Sequence, residues 1–300
     1  MKTIIKNIDY DCNSFDVLLR DLTAEFSFLK MTSIGKTVMG RSIKALRLGD
    51  SEECILYTAA IHGSERITAT VLLRFIADLC EALQSSSRLS DVDARHALTG
   101  KSIIFVPMVN PDGCEISLKG ALGCGTLAGR LSRLCNGNFT NWNANARGVD
   151  LNHNFDAGWK RLHDLERQEG YFGPGPTRYG GSHPESEPET AALVELCRRL
   201  TVRYVMCLHS QGEVIYWDYN GIDTCRGRKM AEIFAASSGY ALDVPTALAT
   251  GGGFKDWFIE EFHRPGFTIE VGKGKNPLPP SAGEEIYHKI QEMLMLGLLM

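Results

Sequence analysis

The side chains of this 300-residue chain best placed for chemistry are His62 and Glu65, three positions apart in His62-Gly63-Ser64-Glu65, with His209 and Glu270 far downstream. Two imidazoles and one carboxylate form a ligand set for a zinc ion with an open fourth position, and a further carboxylate can serve as the base beside it. That combination points to a hydrolase. Each residue also has an ordinary structural role: a histidine at a strand end can be satisfied by hydrogen bonds, and a carboxylate at a helix N-terminus is favoured by the helix dipole. Glu270 is harder to explain this way, because it lies in the apolar run Phe267-Thr268-Ile269-Glu270-Val271 and would be desolvated there. It must face a metal, a pocket or an ion-pair partner. Asp150, in Asp150-Leu151-Asn152-His153, can accept the spare N–H of a ligating histidine and fix its tautomer, while Asn152 and His153 can hydrogen-bond a substrate. The alternative is turn chemistry, in which Asx side chains satisfy loop backbone.

These residues need elements to hold them. Apolar runs bounded by turn signals predict strands at 43–48, 54–60, 103–108, 204–208 and 267–271. The runs ending at Ala60, Met108 and Leu208 are nearly all apolar, as in strands covered on both faces. Helical spacing of apolar residues marks 65–83, 187–200 and 284–299. Strand alternating with helix predicts a mixed, mostly parallel sheet with helices on both faces, in one domain spanning 1–300. In such a fold the ligand crevice lies beyond the carboxyl ends of strands, where His62, Glu65 and His209 all fall. The Gly- and Asn-rich stretch 113–147 and the Gly- and Pro-rich stretch 171–188 read as long loops that wall a pocket.

Composition narrows the function. A hydrophobic content of 44% supports a buried core, and a net charge of -4 with mixed signs gives no basic field for nucleic acid. No run approaches the roughly 18 apolar residues of a membrane span. Met1 to Tyr10 carries charges where a signal peptide has an apolar core, so it is expected to belong to the folded protein and the chain to the cytoplasm. Nine cysteines without a Cys-x-x-Cys pair fit reduced, largely buried thiols, Cys54, Cys80, Cys197 and Cys207 among them.

Taken in order, His62-x-x-Glu65, Asn110-Pro111-Asp112-Gly113, Gly148-Val149-Asp150-Leu151-Asn152, His209 and Thr268-Ile269-Glu270 resemble the zinc carboxypeptidase family, over nearly the whole chain. Gly251-Gly252-Gly253-Phe254-Lys255-Asp256-Trp257, the segment from Arg264 to Gly274 and the segment from Gly181 to Glu189 resemble its bacterial branch that cuts the γ-D-glutamyl-meso-diaminopimelate bond of murein peptides. The resemblance implies a carboxypeptidase A-like fold with about eight strands and one zinc ion held by His62, Glu65 and His209. It also implies that Asp150 orients His62, and that Glu270 takes a proton from the attacking water and passes it to the leaving amine. Alternatives on the same scaffold are a metallocarboxypeptidase or amino-acid deacylase of other specificity, or a non-catalytic binder of peptidoglycan peptides.

Departures from the family pattern bear on specificity. Where many members carry Asn-Arg to clamp a terminal carboxylate, this chain has Asn152-His153, and histidine lacks the planar fork of donors. The tyrosine that many members place before the Gly-Gly segment is replaced by Ala247-Leu248-Ala249-Thr250, which leaves Tyr216 or Trp217 to supply that contact. The family's oxyanion-stabilising arginine has no unambiguous counterpart among Arg130, Arg133 and Arg147, and Asn143 stands near its place. By resemblance Lys255 lies at the floor of the pocket after the scissile bond, where it would favour the distal carboxylate of diaminopimelate; a surface lysine paired with Asp256 or Glu260 is the alternative.

Overall fold

A computed structural model describes residues 4–300, so the first three residues of the segment expected to join the fold, Met1 to Thr3, lie outside the described residues. Eight strands form one sheet: β1 (Lys30–Lys36), β2 (Ser42–Leu48), β3 (Glu53–Ala59), β4 (Ser102–Val106), β5 (Thr201–His209), β6 (Val214–Tyr216), β7 (Ala241–Leu242) and β8 (Gly266–Glu270). They lie in the order β1-β2-β4-β3-β5-β8-β6-β7. The central run β4-β3-β5-β8 is parallel throughout; β2 and β6 flank it antiparallel, β1 pairs antiparallel with β2, and β7 pairs parallel with β6. The mixed sheet with parallel centre is the expected architecture.

Alternation along the central strands sends side chains to two separate cores. Ile55 and Tyr57 of β3 and Phe267 and Ile269 of β8 pack on one face. That face is covered by α1 (Cys12–Glu25), α2 (Arg66–Ser85), α6 (Gly227–Ser238) and α8 (Gly283–Leu299). Cys54 and Leu56 of β3 and Cys207 of β5 pack on the other, against α5 (Pro188–Arg199) and α7 (Phe254–Phe262). Double coverage explains why β3 and β5 read as continuous apolar runs. No helix among the described residues is long and apolar enough to cross a membrane.

The expected strands and helices are present with ends shifted by at most three residues. Others leave weak sequence signals: β1 is a polar edge strand, β6 and β7 are very short, and α7 is buried through most of its length, which erases amphipathic periodicity. The stretch 113–147 is a correction, because most of it is helical. It contains most of α3 (Pro111–Lys119), a 3-10 turn at Gly120–Leu127 and a short helix at Ala128–Leu134. Its apolar side chains Ile116, Leu131 and Trp142 form a small third core, which the glycines and asparagines around them obscure. A further helix, α4 (Trp159–Gln168), is strongly polar yet buries Glu166. The stretch 171–188 is irregular up to Pro188, as expected. All nine cysteines are free thiols, and Cys54, Cys80, Cys197 and Cys207 are buried.

Candidate active site

The loop that follows β3 carries His62 because its backbone is pinned on both sides. Asn110 ends the segment after β4, and its Nδ2 donates to the carbonyls of Ile61 and Ala144 at 3.1 and 3.2 Å. Its Oδ1 caps α3 by accepting from Gly113 N at 2.8 Å, with Pro111 in the first turn. Gly63 N donates to Asn143 O at 3.0 Å. A Cβ on Gly63 would lie 2.3 Å from the Gly113 carbonyl oxygen, so only glycine lets this loop approach α3.

Glu65 immediately precedes α2, and His209 ends β5. One ligand atom from each of His62, Glu65 and His209 lies within 4.8 Å of the others, a group that could hold a metal ion. His62 Nε2 donates to Asp150 Oδ1 at 3.2 Å, which leaves the Nδ1 lone pair 2.9 Å from Glu65 Oε1. His209 Nδ1 is 3.2 Å from Glu65 Oε2, and that oxygen is buried without a hydrogen-bond partner. Electron pairs converging at such distances require a proton or a cation among them, so the donor set fits a zinc ion.

The electrostatics agree. Burial opposes charge on His62, but the carboxylates of Glu65 and Asp150 outweigh it and push the imidazole well above its ordinary range. Burial would raise Glu65, yet the charge of His62 and contacts with His209 hold it at about 2. Asp150 is likewise held far below the usual carboxylate range, against its burial, by His62, by His153 and by the Arg178 backbone N–H. That N–H donates to Asp150 Oδ2 at 2.8 Å, so the loop 171–188 anchors the carboxylate that orients His62.

Glu270 is the residue paired with His209 across β8 and β5, one strand away on the same face of the sheet. Both line a cavity of about 120 Å³ together with His62, His153, Tyr216 and Lys255. Burial, then the negative charge of Glu65, push the Glu270 carboxyl up to about 8, partly offset by His62. A divalent cation at the neighbouring ligand set would oppose both influences and favour the ionised carboxylate.

The other sequence candidates divide. Asn152 lines the cavity, and its Oδ1 accepts from Phe254 N at 3.0 Å, tying the Asp150 turn to the start of α7. His153 Nδ1 donates to Glu166 Oε1 at 2.8 Å. Lys255 lines the cavity rather than the surface, but its ammonium is shared: Nζ donates to the Asp218 carbonyl at 2.7 Å and pairs with the buried Asp256 carboxylate. Trp217 is a correction, since it packs against the core on the far face of the sheet; consecutive residues of extended chain point oppositely, and Tyr216 takes the cavity side.

No oxyanion donor emerges from the three arginines. Arg130 and Arg133 are exposed, Arg130 donates to the Arg147 carbonyl, and Arg147 pairs with Glu187. Asn143 is the neighbour of the ligand loop, its Oδ1 accepting from Ser64 Oγ at 2.5 Å. Two residues escape sequence analysis: Glu166 and Asn276, whose Nδ2 lies 3.4 Å from Glu65 Oε1; Asp256, named as the alternative partner of Lys255, is that partner, but buried rather than at the surface. Glu166 lies on a helix and Asn276 in a loop, and neither belongs to a motif that would set it apart from an ordinary polar residue.

A two-histidine, one-glutamate site with a facing carboxylate, at the carboxyl edge of a parallel-centred sheet, defines a metallohydrolase. Residues 16–295 match the family model described as zinc carboxypeptidase, and the chain belongs to that family. It is 34% identical over 98% of its length, and 72% of the relative's, to the γ-D-glutamyl-L-diamino acid endopeptidase 1 of Lysinibacillus sphaericus. It is 31% identical to the uncharacterized protein YqgT of Bacillus subtilis, covering 96% of this chain and 77% of that one. Among solved structures it is similar to the carboxypeptidase A of Helicoverpa armigera, at a TM-score of 0.72 and 19% identity, over 97% of this chain and 73% of that one. The murein-tripeptide amidase MpaA of Escherichia coli O157 superposes at a TM-score of 0.54 and 21% identity, over 90% and 92% of the two chains. The protein is therefore a zinc metallopeptidase of carboxypeptidase fold that uses one metal ion.

Proposed function

We propose that this peptidase hydrolyses the γ-D-glutamyl-meso-diaminopimelate amide of murein stem peptides, in the cytoplasm, and that the residues above divide the work. His62, Glu65 and His209 would hold zinc, and Asp150, accepting from His62 Nε2, would fix the tautomer that leaves Nδ1 as the ligand atom. When bound, the ion supplies Lewis acidity, making water acidic near neutral pH and polarising the scissile carbonyl. Glu270 accepts the proton of the attacking water and returns it to the leaving amine, which requires a carboxylate beside the ligand set and partly shielded from solvent. Asn152, His153, Tyr216 and Lys255 contact the substrate from the cavity walls.

The observation that carries the mechanism is the pairing of Glu270 with His209 on adjacent parallel strands, which fixes base and ligand set to one rigid frame. The substrate class rests on the similarity to the diamino acid endopeptidase across almost the entire chain, and on a cavity holding both a cation and a carboxylate, Lys255 and Asp256. Diaminopimelate ends in a carboxylate and an ammonium, which that pair complements. Nine thiols without a disulfide suit a reducing compartment.

Incubation with L-Ala-γ-D-Glu-meso-diaminopimelate and with an ordinary peptide, followed by mass spectrometry, tests the assignment. Release of free diaminopimelate from the first alone is expected. Equal cleavage of both would return the protein to general carboxypeptidase activity, and cleavage of neither by zinc-loaded protein would favour a binder.

A further inference from the structure

Beyond β8 the chain turns back toward the residues able to hold a metal. Val271 N donates to the His209 carbonyl at 2.8 Å, and Gly212 N donates to the Gly272 carbonyl at 2.8 Å. Gly272 has a φ of +68°, and a Cβ there would lie 2.7 Å from Ile286 Cδ1 and 2.9 Å from Leu278 Cδ1. Glycine therefore lets the chain reverse while Leu278 packs into the core with Ile286. The return places Asn276 against the residue that follows His209.

Asn276 is held at both ends of its amide. Nδ2 donates to the Ser210 carbonyl at 2.6 Å, and Oδ1 accepts from Ser210 Oγ at 2.9 Å. A carbonyl oxygen only accepts, so the first contact fixes which end of the amide is nitrogen, and the second agrees. That nitrogen carries two hydrogens. With one spent on Ser210, the other is available to Glu65 Oε1, 3.4 Å away. One half-buried side chain thus links two members of the ligand group from a third segment of the chain.

The surroundings of Glu65 show why this matters. Its carboxylate is buried, with His62 Nδ1 2.9 Å from Oε1 and His209 Nδ1 3.2 Å from Oε2. When both imidazole nitrogens face a cation neither can donate, which leaves Asn276 Nδ2 as the one hydrogen-bond donor to that carboxylate among the described residues. The terminal torsion of a glutamate is broad, so without a donor the plane of the carboxylate is set by the cation alone. Resting on the assignment of His62, Glu65 and His209 as ligands, we infer that Asn276 is a positioning residue: it sets the plane of the Glu65 carboxylate and its separation from His209, and through them the affinity and coordination geometry of the metal site.

The test measures zinc affinity by chelator competition, the visible absorption of the cobalt(II)-substituted protein, and urea unfolding of the metal-free protein. Asn276→Ala should weaken zinc binding by about tenfold, the lower end for loss of a group that orients a ligand because this contact is long, and should shift the cobalt bands. Asn276→Asp should weaken it at least as much, since a carboxylate keeps the shape of the amide but has no hydrogen for Glu65 and adds a like charge. Ser210→Ala removes only the Oγ bond, leaves both Nδ2 contacts, and should change the affinity by less than about threefold. A side chain that merely closes the loop would lower the urea midpoint of the metal-free protein while the folded variant kept the zinc affinity and cobalt bands of wild type. That result overturns the inference, as does an equal loss of affinity in Ser210→Ala and Asn276→Ala. If Asn276→Ala does not fold, wild type carries the test: in nitrogen-15 proton spectra, zinc should shift the Asn276 amide proton facing Glu65 more than the one facing Ser210, and equal or absent shifts overturn the inference. Wild type that binds no zinc overturns the ligand assignment and the inference with it; wild type with one zinc per chain and variants of unchanged affinity overturns the inference alone.

Discussion

At the scale of single residues, the proposed roles of Glu270 and Asp150 differ in what their loss should change. Glu270 faces the ligand set without belonging to it, so Glu270→Gln should lower kcat by about 10²- to 10⁴-fold while zinc content, measured by atomic emission, stays near one per chain. Activity that survives this substitution would remove Glu270 from the role of base. Asp150 touches the metal site only through His62 Nε2. Asp150→Asn should therefore weaken zinc binding by about 10- to 100-fold in a chelator competition, with loss of activity following occupancy. The four residues His62, Glu65, His209 and Glu270 are legible in the sequence because strand ends and an isolated carboxylate in an apolar run are local patterns. Glu166 is not, since a buried carboxylate on a helix is recognised only by what surrounds it.

At the scale of elements, the ligand loop after β3 depends on a close backbone crossing. The Gly63 Cα faces the carbonyls of Gly113 and Trp142 with no room for a methyl group. Gly63→Ala should cost about 1–3 kcal/mol, read as a lower unfolding midpoint in urea, and should reduce zinc affinity because His62 shifts with the loop. A variant with wild-type stability and metal binding would show that α3 yields instead. The stretch 113–147 teaches the same point from the other side. Its glycines mark turns correctly, but Gly123 and Gly113 are there for close packing, and the helices between them pack on a core too small to produce a periodic signal.

At the scale of the whole molecule, a buried acid sets a pH dependence of stability. Glu189, on α5, accepts from Val38 N at 3.0 Å and from Asn145 Nδ2 at 3.1 Å, joining the β1–β2 turn to the loop before Asp150. Burial raises its carboxyl to about 7 against an ordinary value of 4.5. Between these pH values the folded state binds more protons than the unfolded one, so this group's contribution to stability falls as pH rises from about 4.5 and levels off above 7. In Glu189→Gln that part of the decline should disappear from the unfolding midpoints measured between pH 5 and 8; an unchanged slope would assign the decline to other groups. Zinc acts on the same scale. Because the proposed ligands lie on the loop joining β3 to α2 and at the end of β5, a chelator should lower the midpoint for the whole domain, by about 4 kcal/mol of stability at a thousandfold excess of zinc over its dissociation constant.

Local chemistry determined much of this protein in advance: the strand and helix periods, the parallel centre of the sheet, and the residue types able to grip a metal and move a proton. These follow from side chains within a few positions of one another, where spacing alone carries the physics. Tertiary structure decided which polar groups share a cavity. It gave Lys255 to Asp256, turned Trp217 to the far face of the sheet, and set Glu166 behind His153. Such pairings join residues remote along the chain or hidden by burial, and their energies depend on desolvation that only the packed fold imposes.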